Sequence, residues 1–142
     1  MDVMYRKILV PVDSSEHSRR ALQHAIAVAR CQETHVALLH CLGRIPMLIG
    51  GEPREELLRE MEREARKLLA PYAKRLREAG IEPALFIKEG RPGDCIVREA
   101  QSGDYDLIVM GSRGLSDLQG MLMGSDAHRV LSSSHCPVLL IR

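Results

Sequence analysis

The sequence contains no tryptophan, and its aromatic residues are one phenylalanine and three tyrosines: Phe86, Tyr5, Tyr72 and Tyr105. Proteins that hold single-stranded nucleic acid stack its bases on aromatic side chains, and this chain has few to offer. Excess charge is also missing. Twenty basic against 19 acidic residues leave a formal net charge of +1, too weak a field to gather nucleic acid or an anionic membrane surface. Neither is expected as a partner. Near the N-terminus only five apolar residues, Ile8 to Val12, precede Asp13. That is far fewer than a signal peptide or a membrane span requires, so a cytoplasmic location is the default expectation.

Several catalytic and metal motifs are lacking too. Cys31, Cys41, Cys95 and Cys136 form no Cys-x-x-Cys pair and read as buried thiols. The histidines form neither His-Glu-x-x-His nor a zinc-spaced cluster, so His40 and His135 read as strand-end or loop residues and His24 as a helix residue. No Gly-x4-Gly-Lys-[Ser/Thr] loop and no Gly-x-Ser-x-Gly elbow occurs. Rapid phosphoryl transfer and serine hydrolysis are therefore not indicated. No residue is assigned a catalytic role.

What the chain does have is alternation. With 142 residues it fits one domain, residues 1–142, large enough to bury a core without disulfides. Five short apolar runs read as buried strands: Ile8 to Val12, His35 to Leu42, Ala84 to Lys88, Leu107 to Met110 and Val138 to Ile141. Between them lie helical patterns. Ala21, Leu22, Ala25, Ile26 and Ala29 share one face of a helix ending near Arg30. From Glu55 to Ala79, Leu57, Met61, Ala65, Leu68, Tyr72 and Leu76 form an apolar stripe, with Glu55/Arg59 and Glu62/Arg66 as helical ion pairs. Pro71 predicts a kink or break near Ala70. Asp94 reads as the cap of a helix over Cys95 to Gln101, and another helix follows Ser125. Strands alternating with helices predict a doubly wound parallel sheet, in which ligands bind beyond the strand C-termini.

Two of those termini carry informative residues. Asp13 has capping-box spacing to Glu16, and it also stands where nucleotide-binding sheets place a partner for ribose or metal. Both readings stay open. The fourth strand runs into Gly111-x2-Gly114-x9-Gly124-Ser125. Glycines after a buried strand let backbone N–H groups approach a ligand, and Gly-Ser before a helix presents unpaired N–H groups to an anion. Phosphate is the expected guest. The loop from Gly43 to Pro53, with apolar Ile45, Met47, Leu48 and Ile49, covers a site, meets a partner or packs on its own domain.

Together, Lys7 to Asp13, Ala37 to Cys41, Asp106 to Gly114, Gly124-Ser125 and Cys136 to Ile141 make the whole chain resemble the universal stress proteins. Its glycine pattern looks like that of their ATP-binding branch. The resemblance implies a sheet ordered 3-2-1-4-5, helices on both faces, and ATP, or AMP or ADP, between strands 1 and 4. By that likeness Pro11, Val12 and Asp13 flank adenine and ribose, with Asp13 also facing a possible Mg²⁺. Cys41 meets adenine through its backbone. Met110, Gly111, Arg113 and Gly114 border ribose and phosphate, while Gly124 and Ser125 hold phosphates. A homodimer through Val138 to Ile141 is also implied.

The sequence departs from the family pattern just after Gly-Ser, where Asp126-Ala127 replaces an aliphatic residue and a hydroxyl residue. Asp126 adds a carboxylate at the helix end an anion would use, unless it points to solvent and only stabilises its helix. The implied function is a regulatory protein that senses ATP and signals to a partner protein or its own dimer. The alternatives are a nucleotide-free interaction protein of the same fold and a slow ATP hydrolase.

Overall fold

The structure is a computed structural model that describes residues 3–114 and 122–142. Met1, Asp2 and most of the spacer between Gly114 and Gly124 lie outside the described residues. Nine elements follow one another: β1 (Lys7–Pro11), α1 (Glu16–Arg30), β2 (His35–Cys41), α2 (Gly51–Glu78), β3 (Ala84–Lys88), α3 (Pro92–Ser102), β4 (Leu107–Gly111), α4 (Ser125–Ser133) and β5 (Val138–Ile141). The strands form one parallel sheet in the order β3-β2-β1-β4-β5.

Strand periodicity divides the core. Ile8, Val10, Val36, Leu38, Leu107 and Val109 point to the face covered by α1 and α2. Leu9, Ala37, Leu39, Ile108 and Met110 point to the opposite face, covered by α3 and α4. Both faces of the three central strands are therefore apolar, which is why these strands read as continuous hydrophobic runs.

Local chemistry shifts several helix boundaries from the expected ones. Ser15, not Asp13, caps α1: its backbone is extended, and its hydroxyl accepts the Ser18 N–H at 3.2 Å. Asp13 stands outside the helix, where its carboxylate accepts the Ser15 N–H at 2.8 Å. In α3 the helix begins at Pro92 rather than after Asp94. Proline lacks only an N–H that has no partner at that position, and its fixed φ suits a first turn.

The second helix is longer than its apolar stripe suggested. It starts at Gly51 and runs unbroken through Pro71, so the expected split near Ala70 does not occur. An interior proline costs about 3 kcal/mol, but Leu69, Tyr72 and Ala73 are buried on either side of it and hold both halves to the sheet. Leu69, rather than the expected Leu68, is fully packed, and Leu57 is exposed. Glu62 and Arg66 pair at 3.7 Å, whereas Glu55 and Arg59 are not among the ion pairs of the described residues.

The loop before α2 divides between its expected roles. Ile45 is buried and Gly43 bridges to Gly90, which ties the loop to its own domain, while Met47 and Leu48 are fully exposed.

Candidate functional site

The sheet's geometry opens a cleft at one place. From β1 the chain winds outward to β2 and β3, then returns to β4 and β5 on the other side, so strand order reverses between β1 and β4. The β1–β2 ladder continues to Pro11↔Leu39, whereas the β1–β4 ladder comprises Ile8↔Leu107 and Leu9↔Ile108. Pro11 has no N–H with which to extend pairing, and the next N–H, of Val12, is given to Leu39 at 2.8 Å. The C-terminal ends of β1 and β4 therefore border a cavity of about 200 Å³.

Ten of the twelve residues expected at a nucleotide site line that cavity. Pro11, Val12 and Asp13 come from the end of β1, and Cys41 from the end of β2. Met110, Gly111, Arg113 and Gly114 come from β4 and its exit, and Asp126 and Ala127 from the first turn of α4. Gly124 and Ser125 are not brought into the lining. Gly124 is buried as the residue preceding α4, where its N–H donates to the Ser112 carbonyl at 2.6 Å, and Ser125 is exposed.

The sequence reading missed a second group: Ser15 and Ser18 at the start of α1, Leu39 and His40 of β2, and Pro92 and Ile96 of α3. Three helices thus direct their N-termini toward one cleft, where their dipoles favour an anion. For α3 a usable signal was present, since Pro92 marks a helix start just after the end of β3.

Gly111 is needed for closeness. A Cβ there would stand 2.6 Å from His17 Cβ, 2.9 Å from the His17 carbonyl carbon and 3.1 Å from the Ser18 nitrogen. Only a residue without a side chain lets β4 end against the first turn of α1. The guanidinium of Arg113 then lies across His17, with Nη2 3.2 Å and Nε 3.4 Å from the ring Nε2.

Asp126 neither points to solvent nor stands alone. Its half-buried carboxylate accepts the Gly93 N–H at 2.9 Å, so it bridges from the first turn of α4 to the first turn of α3. Both helix dipoles stabilise it there. The two helices approach so closely that a Cβ at Gly93 would lie 2.9 Å from the Arg129 side chain. Arg129 reaches Asp94 at 2.8 Å and closes the same contact.

Below β1, a hydrogen-bonded cluster fixes the backbone of Asp13. Tyr72 Oη lies 2.7 Å from the Asp13 carbonyl and 2.9 Å from Ser18 Oγ, and the Asp13 N–H donates to Ser18 Oγ at 3.0 Å. Burial pushes the Tyr72 phenol above the usual tyrosine range, partly opposed by its hydrogen bond with Ser18, so it remains a donor. His40 contributes from the other side, its Nδ1 lying 2.8 Å from the Val12 carbonyl. A carbonyl can only accept, so Nδ1 carries the proton.

A larger groove of about 900 Å³ lies between α1 and α2, and His40 borders both spaces. Its walls include Leu22 of α1 and Leu68 and Pro71 of α2. The smaller cleft holds the converging helix N-termini and is the candidate site. Among the described residues, no three His, Cys, Asp or Glu side chains form a metal cluster, and no helix is long and apolar enough to cross a membrane.

Comparison with known proteins agrees with this architecture. Residues 4–142 match the sequence model of the Universal stress protein family. Universal stress protein YxiE of Bacillus subtilis is 32% identical over 98% of this chain and 100% of its own length. The solved structure of MJ0577 from Methanocaldococcus jannaschii superposes with a TM-score of 0.90 at 34% identity, covering 98% of this chain and 96% of that one. A universal stress protein from Archaeoglobus fulgidus, solved in complex with dAMP, superposes with a TM-score of 0.74 at 27% identity, covering 99% of this chain and 100% of that one.

Proposed function

This chain belongs to the universal stress protein family, and on that footing we propose that it is a cytoplasmic regulatory protein that holds ATP or AMP between β1 and β4. It senses the nucleotide and does not turn it over rapidly. The observation carrying this reading is the convergence of β1, β2, β4 and α4 residues on one cleft at the strand switch point. The dAMP complex of the Archaeoglobus fulgidus relative supports an adenine nucleotide as the ligand class.

A cavity of about 200 Å³ is smaller than the usual range of roughly 300–1,000 Å³ for a pocket that engulfs a ligand. It suits the base and ribose, with the phosphates directed outward past Gly111, Arg113 and Gly114. Pro11, Val12 and the Cys41 backbone then border adenine, and Asp13 faces the ribose hydroxyls. Mg²⁺ ordinarily binds one or two carboxylates together with phosphate oxygens, and Asp13 and Asp126 both line the cleft. When bound, the metal would neutralise phosphate charge beside those carboxylates. Gly124 and Ser125, at the start of α4, would hold the phosphates.

Freshly purified protein, denatured and analysed by mass spectrometry, is expected to release an adenine nucleotide. If it is purified empty, titration calorimetry is expected to show binding of AMP or ATP. Protein that carries none and binds none at millimolar concentration is the nucleotide-free interaction protein instead. A slow hydrolase would release phosphate in a manner lost in Asp13→Ala.

We also propose a homodimer through β5. This edge strand pairs with β4 on one side and leaves Leu139 exposed, an arrangement that favours pairing with a second strand. Light scattering across a concentration series is expected to give twice the chain mass. A persistent monomer would rule the dimer out.

A further inference from the structure

One wall of the cleft carries chemistry that nucleotide binding does not use. Cys41 ends β2 and is half-buried on the cleft, while Cys95 is buried one turn into α3. Both side chains pack in the apolar cluster beneath the cleft, and the interaction of their thiols shifts the acidity of each. The sulfur of Cys41 also lies 3.9 Å from the Pro92 carbonyl at the start of α3. The strand end thus already touches the first turn of α3, which carries Cys95. Cys31 and Cys136 are engaged elsewhere, with the Ala27 carbonyl and the Ser134 hydroxyl respectively.

The two thiols differ in acidity. Interaction with Cys95, followed by burial, pushes the Cys41 thiol up, so it stays protonated. The same interaction brings Cys95 down, and the cations Arg98 and Lys88 add to it, against burial and the nearby Glu99. Cys95 also lies near the N-terminus of α3, where the helix dipole favours a thiolate. A more acidic thiol packed close to a second thiol is the arrangement that oxidants convert to a disulfide.

We propose that Cys41 and Cys95 form a reversible intramolecular disulfide on the wall of the cleft, with a hydroperoxide as oxidant. The Cys95 thiolate attacks one peroxide oxygen, the O–O bond breaks, and the departing hydroxide takes up a proton as water. The sulfenic acid left on Cys95 is attacked by Cys41 sulfur. The S–S bond forms, the S–O bond breaks, and the hydroxyl leaves with the Cys41 proton as a second water. Two thiols are oxidised, and one hydrogen peroxide is reduced to two waters. A low-molecular-weight dithiol reverses the change by thiol–disulfide exchange.

Cys41 is the member that faces the cleft, so a ligand seated there shields the pair, and the disulfide in turn draws the end of β2 toward α3. This coupling rests on the proposed nucleotide reading; the disulfide itself does not.

The test is hydrogen peroxide treatment of dilute full-length protein, followed by thiol counting and peptide mapping without reduction. The expected product has lost two of its four thiols, contains a linked Cys41–Cys95 peptide pair, and is restored by dithiothreitol. Cys41→Ser and Cys95→Ser each abolish the link, whereas Cys31→Ser/Cys136→Ser retains it. A link through Cys31 or Cys136, or oxidation to sulfinic acid without any link, overturns the proposal. AMP added beforehand is expected to slow linkage severalfold. If calorimetry shows that AMP binds and the rate does not change, the coupling is wrong while the disulfide stands. If AMP does not bind, the nucleotide reading fails and the disulfide is judged by the mapping alone.

Discussion

Gly111→Ala is expected to destabilise the protein by about 3 kcal/mol, near the upper end of overpacking penalties. The added Cβ would meet His17 Cβ at 2.6 Å and the backbone of His17 and Ser18 at 2.9 and 3.1 Å. No rotamer change removes a backbone clash, so β4 or the first turn of α1 must move. Total stabilities of roughly 5–15 kcal/mol leave little room for such a change. Urea unfolding checks this, with Gly50→Ala as the control, because a Cβ at Gly50 meets nothing within 4 Å. A Gly111→Ala variant within about 0.5 kcal/mol of the wild type, the usual scale for an exposed substitution, would show that the contact is not tight.

Asp126→Asn is expected to strengthen ATP binding, with the gain growing from adenosine through AMP to ATP. The amide oxygen can still accept the Gly93 N–H that the carboxylate accepts at 2.9 Å, so the contact between α3 and α4 survives while the charge is removed. Like charges about 4 Å apart near a protein surface repel by up to roughly 4 kcal/mol. Since each 1.4 kcal/mol is about tenfold in affinity, an improvement of at least about tenfold for ATP is expected. Calorimetry at two salt concentrations should show the difference shrinking as screening increases. Saturating Mg²⁺ should also narrow it, because the metal lets the wild-type carboxylate act as a ligand. Asp126→Val is a poorer probe, since it leaves the Gly93 N–H unpaired at a cost of about 1–3 kcal/mol. Equal ATP affinities in wild type and Asp126→Asn would remove Asp126 from the phosphate site.

Much of the frame could be read directly because the central strands are buried on both faces. A run such as Ile8 to Val12 then has little choice of element, and the strand ends that carry Asp13 and Gly111 follow. Contacts between elements were less legible. Asp13 has the right spacing for a cap, but an extended Ser15 turns the chain and takes that role. Pro71 is a strong local breaker, yet Leu69, Tyr72 and Ala73 pack tightly enough around it to keep α2 whole. The bond from Asp126 to Gly93 depends on how two helices meet on one face of the sheet, and no spacing in the sequence encodes it. The thiol contact of Cys41 and Cys95 was hidden for the same reason, because a strand end and a helix turn become neighbours only when β2 and α3 pack.

The length of α2 has a further consequence. Its 28 residues extend for about 42 Å, whereas the seven-residue β2 spans about 23 Å. Burial begins only at Ala65, so residues 51–64 form an outer half without a fully buried side chain. A free helix of about 12–15 residues is marginal in water, so this half can fray locally while residues 65–78 stay locked until the whole domain unfolds. Glu60, Met61 and Glu64, which border the groove between α1 and α2, lie in the fraying half, and Tyr72, which holds Asp13 in place, lies in the locked half. The rim of the groove therefore stands on a less buried stretch of α2 than Tyr72, which fixes the floor of the cleft.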